Sequence, residues 1–140
     1  MAKNIDELLK SLQEAILADY SQKLKDALFH DENIGTIENP DSHARITGVC
    51  GDTIEMFLKV RDERISEIKF TTDGCGFTIA CANYVARTVK GKSIEEALII
   101  EPKDVDRYFE GLPEENKHCA QLAVMTLHAL LEAYRNKLRR

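Results

Sequence analysis

DTIEMFLKV, residues 52–60, alternates apolar and polar side chains, with Ile54, Met56, Leu58 and Val60 in one phase. A period of two places those four on one face of a strand and asks for that face to be buried. After the polar Arg61-Asp62-Glu63 the alternation resumes, with Ile68 and Phe70 in phase and Ile65 out of it, so the two runs read as a hairpin with one buried face. ARITGV at 44–49 supplies a preceding strand. The result is a three-stranded antiparallel meander whose first turn is Cys50-Gly51-Asp52.

Downstream of Gly74-Cys75-Gly76 the period becomes helical from Thr78 to Lys90, with Gly91 as a stop. Ser93 and Glu96 form a capping-box pair opening Ile94–Ile100, and Pro102 suits the first turn of a short helix ending near Gly111. Pro113 marks a break. From about Cys119, Ala120, Ala123, Val124, Leu127, Leu131 and Tyr134 line one face of a last helix, with Gln121, His128 and Glu132 opposite. Upstream of the strands, the polar stretch His30–His43, with Gly35 and Pro40, reads as a surface loop. Ile5 to Phe29 carries apolar residues at helical spacing, and Asn4 with Glu7 resembles a capping box. The expected fold is α+β, a three-stranded antiparallel sheet packed against N-terminal and C-terminal helices, in a single domain over 1–140.

A chain of 140 residues, 44% hydrophobic, has room for one comfortable core. Nineteen basic against 24 acidic residues give a net charge of -5, which lacks the basic footprint of a nucleic-acid binder. No apolar run approaches the roughly 20 residues of a membrane span, and MAKNIDELLK has no signal-peptide core, so a cytoplasmic protein is expected. In a reducing cytosol its four cysteines are buried filler, reactive thiols or metal ligands.

Cys50, Cys75 and Cys119 all fall at junctions between elements, where functional side chains collect. Gly51, Gly74 and Gly76 are expected to take positive φ and let the backbone approach a bulky ligand. A helix N-terminus beside Cys75 and Cys119 favours the thiolate of each. Asp52 and His118 add an oxygen and an imidazole at the same places. That donor set suits zinc or an iron-sulfur cluster and serves magnesium or calcium poorly. No C-x-x-C pair is present, so the ligands must converge from separate elements; on the residues alone, a metal or cluster site stands beside buried or singly reactive thiols.

Plainer roles are expected elsewhere. Cys81 lies about 240° around the helix from Cys75 and reads as a buried thiol. His128 reads as exposed, His30 and His43 as passive, and eight acidic residues from Glu95 to Glu115 as a solvated helical face. Asp52 alone would be a turn residue, and His118 a helix-start histidine held by backbone.

Gly48-Val49-Cys50-Gly51-Asp52, Asp73-Gly74-Cys75-Gly76 with Ile79-Ala80, Gly91-Lys92-Ser93 with Glu96-Ala97, and His118-Cys119-Ala120 with Leu122-Ala123 closely resemble the NifU/IscU-type iron-sulfur scaffold family, in its order and with similar gaps. Tyr20, Ser21, Lys23, Asp26 and Asn33-Ile34-Gly35 resemble its opening segment, which leaves 1–19 as an N-terminal helical extension with a role in dimer contacts or in covering the site. The resemblance is to the stand-alone form, without NifU's additional cysteine-bearing domains. It implies a scaffold on which a 2Fe-2S cluster is built from iron and persulfide sulfur, then passed to apo-proteins. Its partners would be a cysteine desulfurase, an electron donor such as ferredoxin, apo iron-sulfur proteins and, for a shared cluster, a second copy. Carried over, Cys50, Cys75 and Cys119 are the cluster cysteines, with Cys119 the persulfide acceptor. By the same resemblance Asp52 matches the aspartate that tunes cluster lability and His118 the histidine beside the third cysteine, a direct or alternate ligand, with the fourth ligand open between Asp52, His118 and an outside thiolate. No turnover of a small-molecule substrate is implied.

Two departures stand out. The family's LPPVK segment, read by a dedicated chaperone, is here Leu112-Pro113-Glu114-Glu115-Asn116, which argues against chaperone-assisted release. Ile46-Thr47-Gly48-Val49 replaces the usual Ala-Pro-Ala before the first cysteine. The rival readings are a zinc-bound sulfur acceptor of the SufU type, a desulfurase partner that builds no cluster, and a purely structural zinc domain. SufU proteins resemble the chain less, because they carry an insertion before the last cysteine and lack the histidine matching His118.

Overall fold

The computed structural model describes residues 26, 27 and 32–139; the long N-terminal helix read from the sequence otherwise lies outside them. Three antiparallel strands, β1 (Ser42–Thr47), β2 (Thr53–Arg61) and β3 (Arg64–Thr72), are ordered β1-β2-β3. The expected first strand is thus displaced two residues toward the N-terminus. Ile54, Met56 and Leu58 of β2 point inward with Ile65, Ile68 and Phe70 of β3, all essentially inaccessible. Each such side chain contributes roughly 1.5–3 kcal/mol by leaving water.

The phase break at Ile65 has a local cause. Lys59 pairs with Glu67 but Val60 pairs with Ile65, so β3 carries an extra residue, Ser66, in a bulge. Ser66 Oγ donates to the Lys59 carbonyl at 3.1 Å. The bulge lets residues three apart, Ile65 and Ile68, face the same core. Asp62 and Glu63 both have positive φ, as a two-residue turn matched to strand twist demands.

The stretch read as a surface loop is partly built into the sheet. Gly35 N–H donates to the Phe70 carbonyl and Phe70 N–H to the Asn33 carbonyl, covering part of the outer edge of β3. Asn33 and Ile37 are buried, and Ser42 and His43 already belong to β1. Asn33 Nδ2 donates to Asn83 Oδ1 at 3.2 Å, tying this segment to the first helix described next.

Helix α1 (Gly76–Val89) follows β3, and Gly91, at φ +89°, turns the chain out of it. The Ser93–Glu96 capping box opens α2 (Ile94–Leu98), and Pro102 begins α3 (Pro102–Tyr108). A 3-10 turn, Glu114–Asn116, leads into α4 (Lys117–Leu138), which lies along β1, β2 and α1. Its inner face is Cys119, Ala120, Ala123, Val124, Leu127, Leu130 and Leu131. Ser42 Oγ donates to the Leu130 carbonyl at 2.7 Å and pins β1 to it. His128 is not free on the outer face: half-buried, it hydrogen-bonds the Ile100 carbonyl at 2.9 Å. Among the acidic residues read as a solvated face, Glu96 and Asp104 cap helices. No described helix is long and apolar enough to cross a membrane.

Candidate functional site

Antiparallel pairing fixes where the cysteines meet. Ile54 pairs with Thr72, so the start of β2 and the end of β3 share one end of the sheet, and the Cys50 loop lies beside Gly74-Cys75. Asp73 Oδ1 accepts from Thr53 N–H at 2.7 Å, while Thr72 Oγ1 donates to the Thr53 carbonyl at 2.6 Å and accepts from Gly74 N–H at 3.0 Å. The Cys50 loop is closed by Gly48 N–H to the Asp52 carbonyl and by Gly51 N–H to the Gly48 carbonyl; Gly51 sits at φ +92°. The third contributor is the first turn of α4. Asp106 Oδ1 accepts from Leu112 N–H at 2.8 Å and from Lys117 Nζ at 3.3 Å, which secures the approach to His118 and Cys119.

All five residues singled out in the sequence belong to one connected cluster. A donor atom from each of Cys50, Asp52 and His118 lies within 4.8 Å of the other two. His118 Nε2 is 3.7 Å from Cys119 Sγ. Cys75 stands outside the tight trio and joins it through a residue the sequence reading passed over, Thr78. Thr78 Oγ1 lies 3.3 Å from Asp52 Oδ2, 3.3 Å from Cys119 Sγ and 3.7 Å from Cys75 Sγ. Cys50 and Cys75 are exposed, Asp52 and His118 half-buried, and Cys119 fully buried. Two clefts of about 540 and 620 Å³ lie on other surfaces and touch none of these residues.

The glycines act differently from the expectation. Of Gly51, Gly74 and Gly76, Gly51 alone has positive φ. Gly74 is required by a close approach instead: a Cβ there would lie 2.7–2.8 Å from the Thr78 side chain.

The two helix-start cysteines also part company. The Cys119 thiol facing it holds Cys75 down to about 5, against the opposing effect of partial burial and with help from the N–H groups of Thr78 and Phe77. Cys119 is driven the other way, first by the Cys75 sulfur and then by burial. The two shifts run in opposite directions, favouring the thiolate at Cys75 and the thiol at Cys119, whereas the sequence alone leads one to expect the thiolate at both. Position explains this. Cys75 is the N-cap residue of α1, outside the first turn, whereas Cys119 is the third residue of α4 and points inward. Cys81 is inaccessible and its thiol is pushed up by burial, as a core cysteine should be. The site thus combines two exposed sulfurs and one buried one with a carboxylate and an imidazole, a donor set for a soft or borderline metal or for an iron-sulfur cluster.

The sequence profile of the NifU-like N terminal domain matches residues 19–140. An iron-sulfur cluster assembly scaffold protein IscU of Archaeoglobus fulgidus is 39% identical over 119 residues, covering 84% of this chain and 78% of its own. The IscU scaffold protein of Escherichia coli is 37% identical over 123 residues, covering 84% and 95%. Among solved structures, a putative iron-sulfur cluster assembly scaffold protein for the SUF system from Fervidobacterium islandicum superposes with a TM-score of 0.68 at 19% identity, over 82% of this chain and 98% of that one. A NifU-like protein (N-terminal) from Brucella abortus gives 0.67 at 20% identity, over 84% and 94%. Those two establish the α+β architecture, and the profile and the IscU relatives establish descent: the chain belongs to the NifU-like N-terminal domain family.

Proposed function

We propose that this protein is a scaffold on which a 2Fe-2S cluster is assembled and from which it is handed to apo-proteins. The observation that carries the proposal is the convergence of Cys50, Cys75 and Cys119 with Asp52 and His118 at one open end of the sheet. Three sulfurs bind iron firmly, and a carboxylate or imidazole in the fourth place leaves the cargo easier to give away. The whole chain, 1–140, acts as one scaffold domain, with 1–19 as an extension.

Sulfur arrives as the persulfide of a cysteine desulfurase. A thiolate of the scaffold attacks the outer sulfur, the sulfur-sulfur bond breaks, and the desulfurase cysteine leaves as a thiolate. Cys119 is the proposed acceptor. Because its thiol is buried, the desulfurase complex must open the first turn of α4 and let the proton pass to its neighbour Cys75. Each transferred sulfur takes two electrons to become sulfide, more than the irons supply on passing from ferrous to ferric. A ferredoxin-type donor provides the remainder.

Anaerobic reconstitution with ferrous iron, a sulfide source and reductant tests this, read by visible absorption, Mössbauer spectra and transfer to an apo-ferredoxin. A cluster that forms and moves is the expected result. A colourless protein that keeps only zinc, and needs it to accept persulfide, would make it a sulfur acceptor instead.

A further inference from the structure

Thr78 is fully buried and occupies the third position of α1, yet its hydroxyl is directed at the site. Three site atoms surround that one oxygen: Asp52 Oδ2, Cys119 Sγ and Cys75 Sγ. A hydroxyl has one proton to give and two lone pairs to receive with. Donation to Asp52 and donation to Cys119 are therefore alternatives for that one proton. The side chain is also held from behind. Gly74 leaves no room for a Cβ against it, and a β-branched side chain has few rotamers open to it at a helix start.

We infer that Thr78 is a positioning residue of the scaffold, whose hydroxyl keeps Asp52 beside the Cys75–Cys119 pair before metal enters and turns its proton to a cysteine sulfur once the metal has claimed the carboxylate. The inference rests on the scaffold reading for its second half; the first concerns the cluster-free protein. Outer partners that orient ligands in this way influence metal affinity by about 10–100-fold. A hydrogen bond to a cluster sulfur also raises the reduction potential, so its removal lowers it.

The test compares wild type with Thr78→Val, which keeps the shape and removes the hydroxyl, and Thr78→Ser, which keeps the hydroxyl. Cobalt(II) titration of the cluster-free proteins, followed by the sulfur-to-cobalt charge-transfer band, reads the first half. Potentiometry of reconstituted protein reads the second. Thr78→Val should bind cobalt about 10-fold more weakly and, when reconstituted, hold a cluster of lower potential, with Thr78→Ser close to wild type in both. Thr78→Ala, smaller and well tolerated in a helix, supplies a second hydroxyl-free protein should the valine variant not fold. Equal cobalt affinities and potentials across the series would overturn the inference, as would a serine variant as impaired as the valine one, since the role would then be packing. A wild type that binds cobalt but builds no cluster sinks the scaffold reading instead and leaves the affinity comparison to judge Thr78.

Discussion

The two halves of the site are built differently. Cys75 and Cys119 stand at the starts of α1 and α4 and meet over the buried Thr78, so their sulfurs are rooted in the helical layer that forms the core. Cys50 and Asp52 lie in a glycine-closed loop at the sheet's end, and His118 faces them from the outer side of the α4 first turn. The rooted half is all sulfur, the retentive half on the scaffold proposal, while the outer half mixes sulfur, oxygen and nitrogen. A scaffold needs both, since one half must hold the cargo while the other lets it go.

The largest effect should come from breaking the rooted half. Cys75→Ser and Cys119→Ser should each abolish cluster assembly, measured as loss of the visible absorption after anaerobic reconstitution. Cys119→Ser should also take up no persulfide from a desulfurase, by mass spectrometry. Persulfide persisting on that variant would move the acceptor to Cys75 or Cys50, both already exposed.

Next is the outer half. Asp52→Ala should still assemble a cluster but pass it to apo-ferredoxin about 10–100-fold more slowly. Transfer at the wild-type rate would mean that the oxygen ligand has no part in release, and the contrast between the halves would collapse.

The proton shared within the rooted half gives a smaller and pH-dependent effect. Cys75 is a thiolate from about 5 upward, whereas an unfolded cysteine becomes one only near 9.0. Folding of the metal-free protein thus releases a proton between those values. By linkage, this contributes stability that grows as pH rises through the window and is lost as pH falls toward 5. Near pH 6, iodoacetamide should modify Cys75 roughly 10-fold faster than an ordinary thiol, the gain in thiolate being partly offset by its lower nucleophilicity. Cys81 should stay unmodified in the folded protein. Peptide mapping across a pH series checks both, and a Cys75 rate that begins to rise only near 9 would remove the asymmetry of the pair.

Much of this was legible in the sequence, for definable reasons. Strand alternation, the capping box at Ser93 and the junction cysteines are local patterns, and local patterns survive folding. The bulge was half legible: inward isoleucines three apart, at 65 and 68, require an extra residue in a strand. Thr78 was readable in retrospect, because it sits with Ala82, Val85 and Val89 on the buried stripe of α1, three residues past a cysteine. A polar side chain there has to find partners inside. The opposite shifts of Cys75 and Cys119 were not legible, because both are helix-start cysteines and the difference arises from the meeting of the two sulfurs and from the burial of Cys119. Nor was the loop before β1, whose Asn33 and Gly35 are fixed by hydrogen bonds to a strand far along the chain.

The smallest effect belongs to the support beneath the outer half. Asp106 receives Leu112 N–H and Lys117 Nζ, and both contacts hold its carboxyl below the usual carboxylate range, the backbone one more strongly. Asp106→Asn keeps an oxygen for Leu112 but gives up the charge, so it should destabilise the fold by about 1 kcal/mol. A downward shift of the thermal midpoint checks that. His118 lies one residue beyond Lys117, yet its distance to the Cys119 sulfur is set by the turn of α4 that carries both. Cobalt affinity should therefore stay within about twofold of wild type. If Asp106→Asn weakens cobalt as much as Asp52→Ala does, His118 is held by the 3-10 turn and not by α4. The outer half would then extend through Lys117 to Asp106, and its looseness would be a property of that turn more than of the Cys50 loop.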